Sequence, residues 1–254
     1  MATSASTNDT ITLYTNHRCP CKSMLPVSAN PRDSLRDQRA HRAHIALNEL
    51  KIPFTEVIID LDTPRTAEYL AINPRGLVPS INWNGNIITE SAIVAQFLAD
   101  AYPSHLLPPS NTPDAPLRRA RINFFVDTFF TKFQNHLFKL YSAKSDQEIE
   151  DAVNVAVAGA VKEVEPLLSD ASPFFGGSDE LTLAEVLTGS FVIRLITLAK
   201  AHVYPSSILE KLSQQTPNFY KWAEAVAQHP SVTSIFDAEA NVASAKARIA
   251  KLQA

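Results

Sequence analysis

Five prolines, Pro103, Pro108, Pro109, Pro113 and Pro116, fall in the fifteen residues from Tyr102 to Pro116. Each proline fixes φ and removes an N–H, so neither a helix interior nor a central strand survives that density. The segment 102–116 therefore reads as a linker, and it separates two stretches with different hydrophobic periods. Before it, short β-favouring runs alternate with helical periodicity. From Leu117 onward the periodic segments repeat near 3.6 residues and none alternates strictly. The change of period predicts an α/β first part, βαβαββα in order, followed by an all-helical second part over 117–254. The chain has 254 residues, 45% of them hydrophobic, which is enough for a full core. With 6 Gly against 17 Pro, its turns must be made largely by proline.

In the first part, Thr10 to Thr15 reads as a short buried strand through Ile11, Leu13 and Tyr14. Ala40, Ala43, Leu47 and Leu50 recur every three or four residues and predict a helix over 38–51, with Arg39, Arg42 and Glu49 off the stripe. A second strand follows over 54–59 and a short helix over 66–71. The runs 80–83 and 86–89 flank Asn84-Gly85, a hairpin signal. Helix 92–101 should turn Ile93, Val94, Phe97 and Leu98 inward.

In the second part, Ile122, Phe125, Phe129, Phe133, Leu137 and Leu140 stripe one helix, and Val153, Val157, Val161, Val164 and Leu168 the next. Thr182 and Glu185 form a capping box, each side chain accepting from the other's backbone N–H, which should start a buried helix running to about Ala199. Pro217 opens a further helix, with Phe219, Trp222 and Val226 inward, that stops before Pro230.

Charge and cysteine content narrow the function classes. Lys+Arg 23 against Asp+Glu 26 gives a net charge of -3, which argues against nucleic acid or a membrane surface as partner. Cys19 and Cys21, one residue apart, cannot form a secretory disulfide framework, so a reducing compartment is expected. Residues 1–8 contain no apolar signal region, and residues 1–9 should be a disordered terminus. The most apolar later stretch, 181–203, carries Glu185, Arg194, Lys200 and His202, too many charges for a membrane span. A cytoplasmic protein is expected.

Two runs carry more specific chemistry. The first is Asn73-Pro74-Arg75-Gly76-Leu77-Val78-Pro79-Ser80-Ile81, followed after the hairpin by Thr89-Glu90-Ser91-Ala92-Ile93. Together they resemble the glutathione-binding signature of cytosolic glutathione transferases. With the proline-rich linker, the capping box and the Pro217, Trp222, Pro230 pattern, the resemblance covers about residues 10–236. It implies a thioredoxin-like domain over 10–101, an all-helical domain over 117–254 that holds the acceptor site, glutathione as cofactor, and a homodimer. In that family the proline matching Pro79 is cis and turns the backbone of the residue matching Val78 toward the cysteinyl backbone of glutathione. The resemblance likewise gives Ser91 the γ-glutamyl carboxylate, at a helix N-terminus, and Glu90 the γ-glutamyl ammonium.

The second run, Leu13-Tyr14-Thr15-Asn16-His17-Arg18-Cys19-Pro20, looks like the first strand and active-site turn of the cysteine-type classes, omega above all. The resemblance makes Cys19 the catalytic thiol, forming a mixed disulfide with glutathione. Residues 17–44 hold six Lys and Arg against Asp33 and Asp37, a local +4 that suits a depressed thiol pKa and an anionic cofactor. The chain departs from the family pattern in residues 20–37, an insertion with three prolines between Cys19 and the periodic helix. If that insertion displaces the helix start, Cys19 is a bystander or a buried residue, and Asn16, Ser23, Ser34 or a backbone N–H meets the glutathione sulfur instead. Cys21 is too close to Cys19 to resolve an adduct without strain.

Other candidates read as structural. Tyr14 belongs to the core of the first strand. His41 and His44 have no evident third ligand nearby, so no metal is expected and solvated or salt-bridged histidines are. Phe124, Phe125, Phe129, Phe130 and Phe133 surround their helix widely enough that some should line a pocket for an apolar, conjugated acceptor. The expected function is therefore activation of glutathione and its transfer to an apolar, specialised electrophile. Glutathione-dependent cis–trans isomerisation of an unsaturated carbonyl compound and omega-like thiol transfer are chemically adjacent, and a non-catalytic glutathione-binding scaffold is the remaining alternative.

Overall fold

The computed structural model describes residues 9–17, 33–61 and 63–253, with side chains from residue 39 in the second stretch and to residue 252 in the last. Four strands, β1 (Ile11–Thr15), β2 (Thr55–Ile58), β3 (Ser80–Trp83) and β4 (Asn86–Thr89), form a mixed sheet in the order β2-β1-β3-β4. β1 is parallel to β2, which requires a crossover, and α1 (Asp33–Glu49) supplies it. The hairpin turns at the expected Asn84-Gly85 pair. Asn84 and Gly85 have φ of 51° and 87°, the left-handed pair of a type I′ turn, and Asn82 Oδ1 accepts from the Gly85 N–H at 2.8 Å. Ile11, Leu13 and Thr15 are buried on one face of β1, with Leu13 opposite Ile81.

Three expectations are corrected in this part. Helix α1 begins at Asp33, so the last five residues of the stretch 20–37 are helical. No apolar period marks those residues, and they extend a helix already nucleated by the buried stripe behind them. The same helix ends at Glu49, where Lys51 takes a left-handed φ of 53°. In α3 (Ser91–Ala101) the inner face is Val94, Ala95, Leu98 and Ala99; Ile93 is 57% exposed and Phe97 is half-buried, its ring edge-on to Trp83 at 5.2 Å. Between them, α2 (Ala67–Ile72) is capped by the Thr66 hydroxyl, which accepts from the Tyr69 N–H.

The second part is helical throughout its described length. α4 (Ala115–Thr128) runs on through a π-helical turn, Phe129–Gln134, a short α5 (Asn135–Leu137) and a 3₁₀ turn to Tyr141. α6 (Asp146–Gly159) likewise continues into a π turn, Ala160–Val164, and a 3₁₀ turn to Leu168. Each π turn adds a residue and rotates the next stretch of helix by about 100°. Val161, expected inward, is 38% exposed at the edge of its stripe, while Val157 and Val164 on either side are buried.

α7 (Leu183–Lys200) is the central helix and packs on α1, α3 and α4. The expected capping box opens it. The Thr182 hydroxyl accepts from Ala184 N–H, and the buried Glu185 carboxylate accepts from Thr182 N–H, Phe175 N–H and Trp222 Nε1. Four further helices, α8 (Ser207–Gln215), α9 (Pro217–Gln228), α10 (Pro230–Thr233) and α11 (Ala238–Gln253), complete the chain. No described helix is long and apolar enough to cross a membrane.

Candidate functional site

The loop 73–79 is held from beneath before it can present anything. Tyr69 Oη donates to Leu77 O at 2.5 Å, and buried Asn73 donates from Nδ2 to Leu77 O at 2.8 Å and Ser80 Oγ at 3.0 Å. Arg65 Nε donates to Gly76 O at 3.0 Å while its Nη1 holds the Asp60 and Thr63 carbonyls. Gly76 has φ of 61°, and a Cβ there would lie 3.0 Å from Arg65 Cγ, so glycine fits both the backbone and the packing. The Val78–Pro79 peptide bond is cis, and the Val78 side chain is buried with Ala40, Leu61 and Tyr69.

Across from this loop is the N-terminus of α3. Glu90 stands just before it at φ 70°, a left-handed conformation that costs a non-glycine residue about 1–3 kcal/mol and recurs where geometry is held for function. Its carboxylate pairs with Arg75 Nη1. Among the described residues no side chain caps the helix, which leaves its first-turn N–H groups and positive dipole end suited to an anion. Ser91, the first helical residue, is 5% exposed. Val78, Pro79, Glu90 and Ser91 thus line one small pocket with Asn73, Leu77 and Arg39.

Arg42 lies under Ser91. It is 7% exposed, donates from Nη1 to Ser91 Oγ at 3.2 Å and from Nε to Leu187 O at 2.7 Å, and so ties α1 to α3 and α7. Its guanidinium carbon sits 4.8 Å from the Phe130 ring centroid and 5.0 Å from that of Phe191. Burial, with repulsion from Arg39 second, pulls its pKa down to about 9, which still leaves it charged at neutral pH. No carboxylate pairs with it among the described residues. A second, larger cavity of about 390 Å³ opens beside the first, sharing Arg39, Glu90 and Ser91 with it, reaching Arg42 and walled by Phe130, Phe138 and Phe191.

Residues 39–101 match the family profile of the glutathione S-transferase N-terminal domain. Glutathione S-transferase omega-1 of Mus musculus is 29% identical over 165 residues, 64% of this chain and 61% of the mouse protein. The protein named probable maleylacetoacetate isomerase 1 of Drosophila melanogaster is 26% identical over 152 residues, 59% of either chain. The alignments therefore span about three fifths of these relatives' lengths. The crystal structure of glutathione transferase Omega 2C from Trametes versicolor superposes with a TM-score of 0.72 and 26% identity, covering 95% of this chain and 99% of that one. Residues 39–101 thus carry a glutathione S-transferase N-terminal domain, and the chain as a whole is similar to glutathione transferases, those of the omega class among them.

Some sequence readings need revision. Of the five phenylalanines, Phe125, Phe129 and Phe133 are core, Phe124 is 60% exposed, and Phe130 faces the larger cavity. His41 and His44 are not solvated: each is 1% exposed. His41 stacks on Phe236, and burial holds its pKa well below the ordinary value. Burial, then the charge of His17, lowers His44 to about 3. His44 also has the neighbours that its sequence pattern lacked, Glu56 and His17, brought in by β2 and by the chain beyond β1. Tyr14 is half-buried, tilted against Tyr69 at 5.8 Å, in a small satellite cluster and not in the main core.

Cys19, Cys21 and most of the stretch 20–37 lie outside the described residues, so the cysteine reading stands as an expectation. Of the basic residues singled out from sequence, Arg39 and Arg42 line the site. Sequence reasoning missed the particular part of Arg42, whose only sign was its place in the basic cluster off the apolar stripe of α1. It also missed Asn73, which was quoted as part of the motif without a role.

Proposed function

We propose that the chain is an enzyme that activates glutathione and transfers it to an apolar acceptor. The observation that carries this reading is the N-terminus of α3, with Ser91 over the buried Arg42, which has no carboxylate partner among the described residues, set across a small pocket from the Val78–Pro79 backbone. These groups fit the ligand. Ser91 N–H and Oγ would hold the γ-glutamyl carboxylate, backed by the Arg42 charge; Glu90 would accept from the ammonium; and the Val78 N–H and C=O would pair with the cysteinyl backbone in strand-like fashion. When bound, glutathione supplies the thiol nucleophile. Positive potential from Arg39, Arg42 and the helix end favours its anionic form. The acceptor would lie in the cavity walled by Phe130, Phe138 and Phe191.

A second reading, cis–trans isomerisation of an unsaturated carbonyl compound, draws support from the two arginines that bound the aromatic cavity, since a conjugated acceptor of that kind polarises toward an enolate. The division into a glutathione domain over 10–101, a linker over 102–116 and an acceptor domain over 117–254 belongs to the same proposal. So do the role of Cys19, a cytoplasmic location, and a homodimer formed through the apolar residues left exposed on α3 and α4, namely Ile93, Leu117 and Phe124. The test combines titration of the protein with glutathione by calorimetry and turnover of an activated aryl halide and of hydroxyethyl disulfide. Saturable binding with turnover of either acceptor is the expected result. Binding without turnover would leave the scaffold reading, and no binding would remove the proposal.

A further inference from the structure

The C-terminal end of β1, the middle of α1 and the edge strand β2 bring three possible metal ligands to one point. His17 Nε2 is 2.6 Å from Glu56 Oε1, and His44 Nε2 approaches the same oxygen at 3.2 Å. One ligand atom from each residue can be chosen so that all lie within 4.8 Å of one another. The two imidazole rings meet edge to face, with centroids 4.9 Å apart. Thr15 Oγ1, 3.1 Å from His44 Nε2, adds a neutral oxygen. We propose that His17, His44 and Glu56 form a binding site for a divalent first-row transition ion of the zinc type.

The donor chemistry selects the class of ion. Two imidazole nitrogens and one carboxylate suit zinc, nickel or copper, whereas calcium and magnesium require mostly oxygen. A tetrahedral zinc with bonds of about 2.0–2.1 Å separates its ligand atoms by roughly 3.3 Å. The His44 to Glu56 spacing already matches that. His17 and Glu56 must part by less than 1 Å, and both side chains are 30% exposed, which leaves room to move and an entry path from solvent. His44, 1% exposed, is the fixed anchor. With two neutral imidazoles and one carboxylate, the site carries one negative charge toward a divalent cation. Among the described residues His44 Nδ1 has no hydrogen-bond partner, so the outer-shell acceptor that strengthens most histidine sites is not seen there; such a partner is worth about 10- to 100-fold in affinity. Because the ion would join three separate elements, it would act as a clip on the β2 edge.

The experiment uses the full-length chain with Cys19 and Cys21 replaced by serine, which removes thiolates as competing ligands. Calorimetric titration with zinc chloride at pH 7.5 should give one site per chain. Cobalt(II) chloride should give the visible absorption of a four- or five-coordinate nitrogen and oxygen site. His17→Gln and Glu56→Gln, both at partly exposed positions, should each weaken zinc binding at least tenfold. In the chain with its histidines intact, zinc should shift the His44 ring resonance. Absence of zinc binding in the cysteine-free chain, unchanged affinity in Glu56→Gln, or an unmoved His44 resonance would each overturn the site, and none of these results bears on glutathione binding.

Discussion

At the scale of single residues the glutathione reading turns on Ser91 and Arg42. Ser91→Ala removes a hydroxyl contact to a charged group and leaves Arg42 Nη1 without its acceptor, so glutathione affinity should fall about 10- to 100-fold, equivalent to roughly 1.5–3 kcal/mol. Calorimetry on the folded variant checks this; unchanged affinity would place the carboxylate elsewhere. The other residue-scale question is Cys19. Thirteen residues lie between it and the first residue of α1, Asp33, so the N-terminus of α1 does not follow it at once. We expect Cys19→Ser to keep turnover of an apolar acceptor within about 100-fold, since bound glutathione carries its own thiol. Disulfide exchange with hydroxyethyl disulfide should disappear in the same variant. A larger loss with the apolar acceptor would make Cys19 essential to both reactions.

At the scale of elements the structure depends on two π-helical turns, Phe129–Gln134 and Ala160–Val164, that lie against each other. They meet where Gly159 crosses Lys132, and a Cβ on Gly159 would lie 1.9 Å from the Lys132 carbonyl oxygen. That oxygen belongs to backbone and cannot rotate away. Gly159→Ala should therefore cost at least the upper end of the overpacking range, about 3 kcal/mol, in urea denaturation. Gly189 on α7 is the contrasting case. Its added Cβ would meet Val226 Cγ1 and Val232 Cγ2 at 3.2 Å, methyl groups that can give by a few tenths of an ångström, so Gly189→Ala should cost under about 1 kcal/mol. Equal costs for the two substitutions would mean that the helix crossing relaxes more easily than its backbone contact implies. Sequence periodicity failed at the edge of one stripe: Val161, four residues after Val157, drifts about 40° around the helix and is 38% exposed, while Val164 stays buried.

For the whole molecule, exposure and burial each have a measurable consequence. Leu117 and Phe124 are 64% and 60% exposed on α4, and a homodimer would cover them. Phe124→Asp should convert a dimer to a monomer in sedimentation at micromolar concentration, whereas a dimer that persists would put the interface elsewhere. His41 is buried with its folded pKa well below the ordinary value of 6.5, so below about pH 6.5 the unfolded chain binds a proton that the folded chain does not. The stability this histidine contributes is complete above that pH and is lost as the pH falls. In chelator, unfolding free energy should decline toward pH 4.5, and His41→Leu should flatten the slope by about 1.4 kcal/mol per pH unit. An unchanged slope would show that His41 takes up its proton without unfolding. Much of this architecture was legible in the chain itself, because its causes are local. Proline density marked the irregular stretch between α3 and α4, although α4 already begins at Ala115, inside the expected linker 102–116; Asn84-Gly85 fixed the hairpin turn, Thr182 and Glu185 set the start of α7, and the order of residues 73–81 and 89–93 pointed to the pocket. The start of α1 at Asp33 was hidden because residues 33–37 have no apolar period. Only the tertiary structure placed Arg42 under Ser91, 49 residues away, and set Glu56 against His44 and His17. Those contacts depend on how β2 pairs with β1 and how α1 packs on α3 and α7, and residue spacing along one chain carries no record of either.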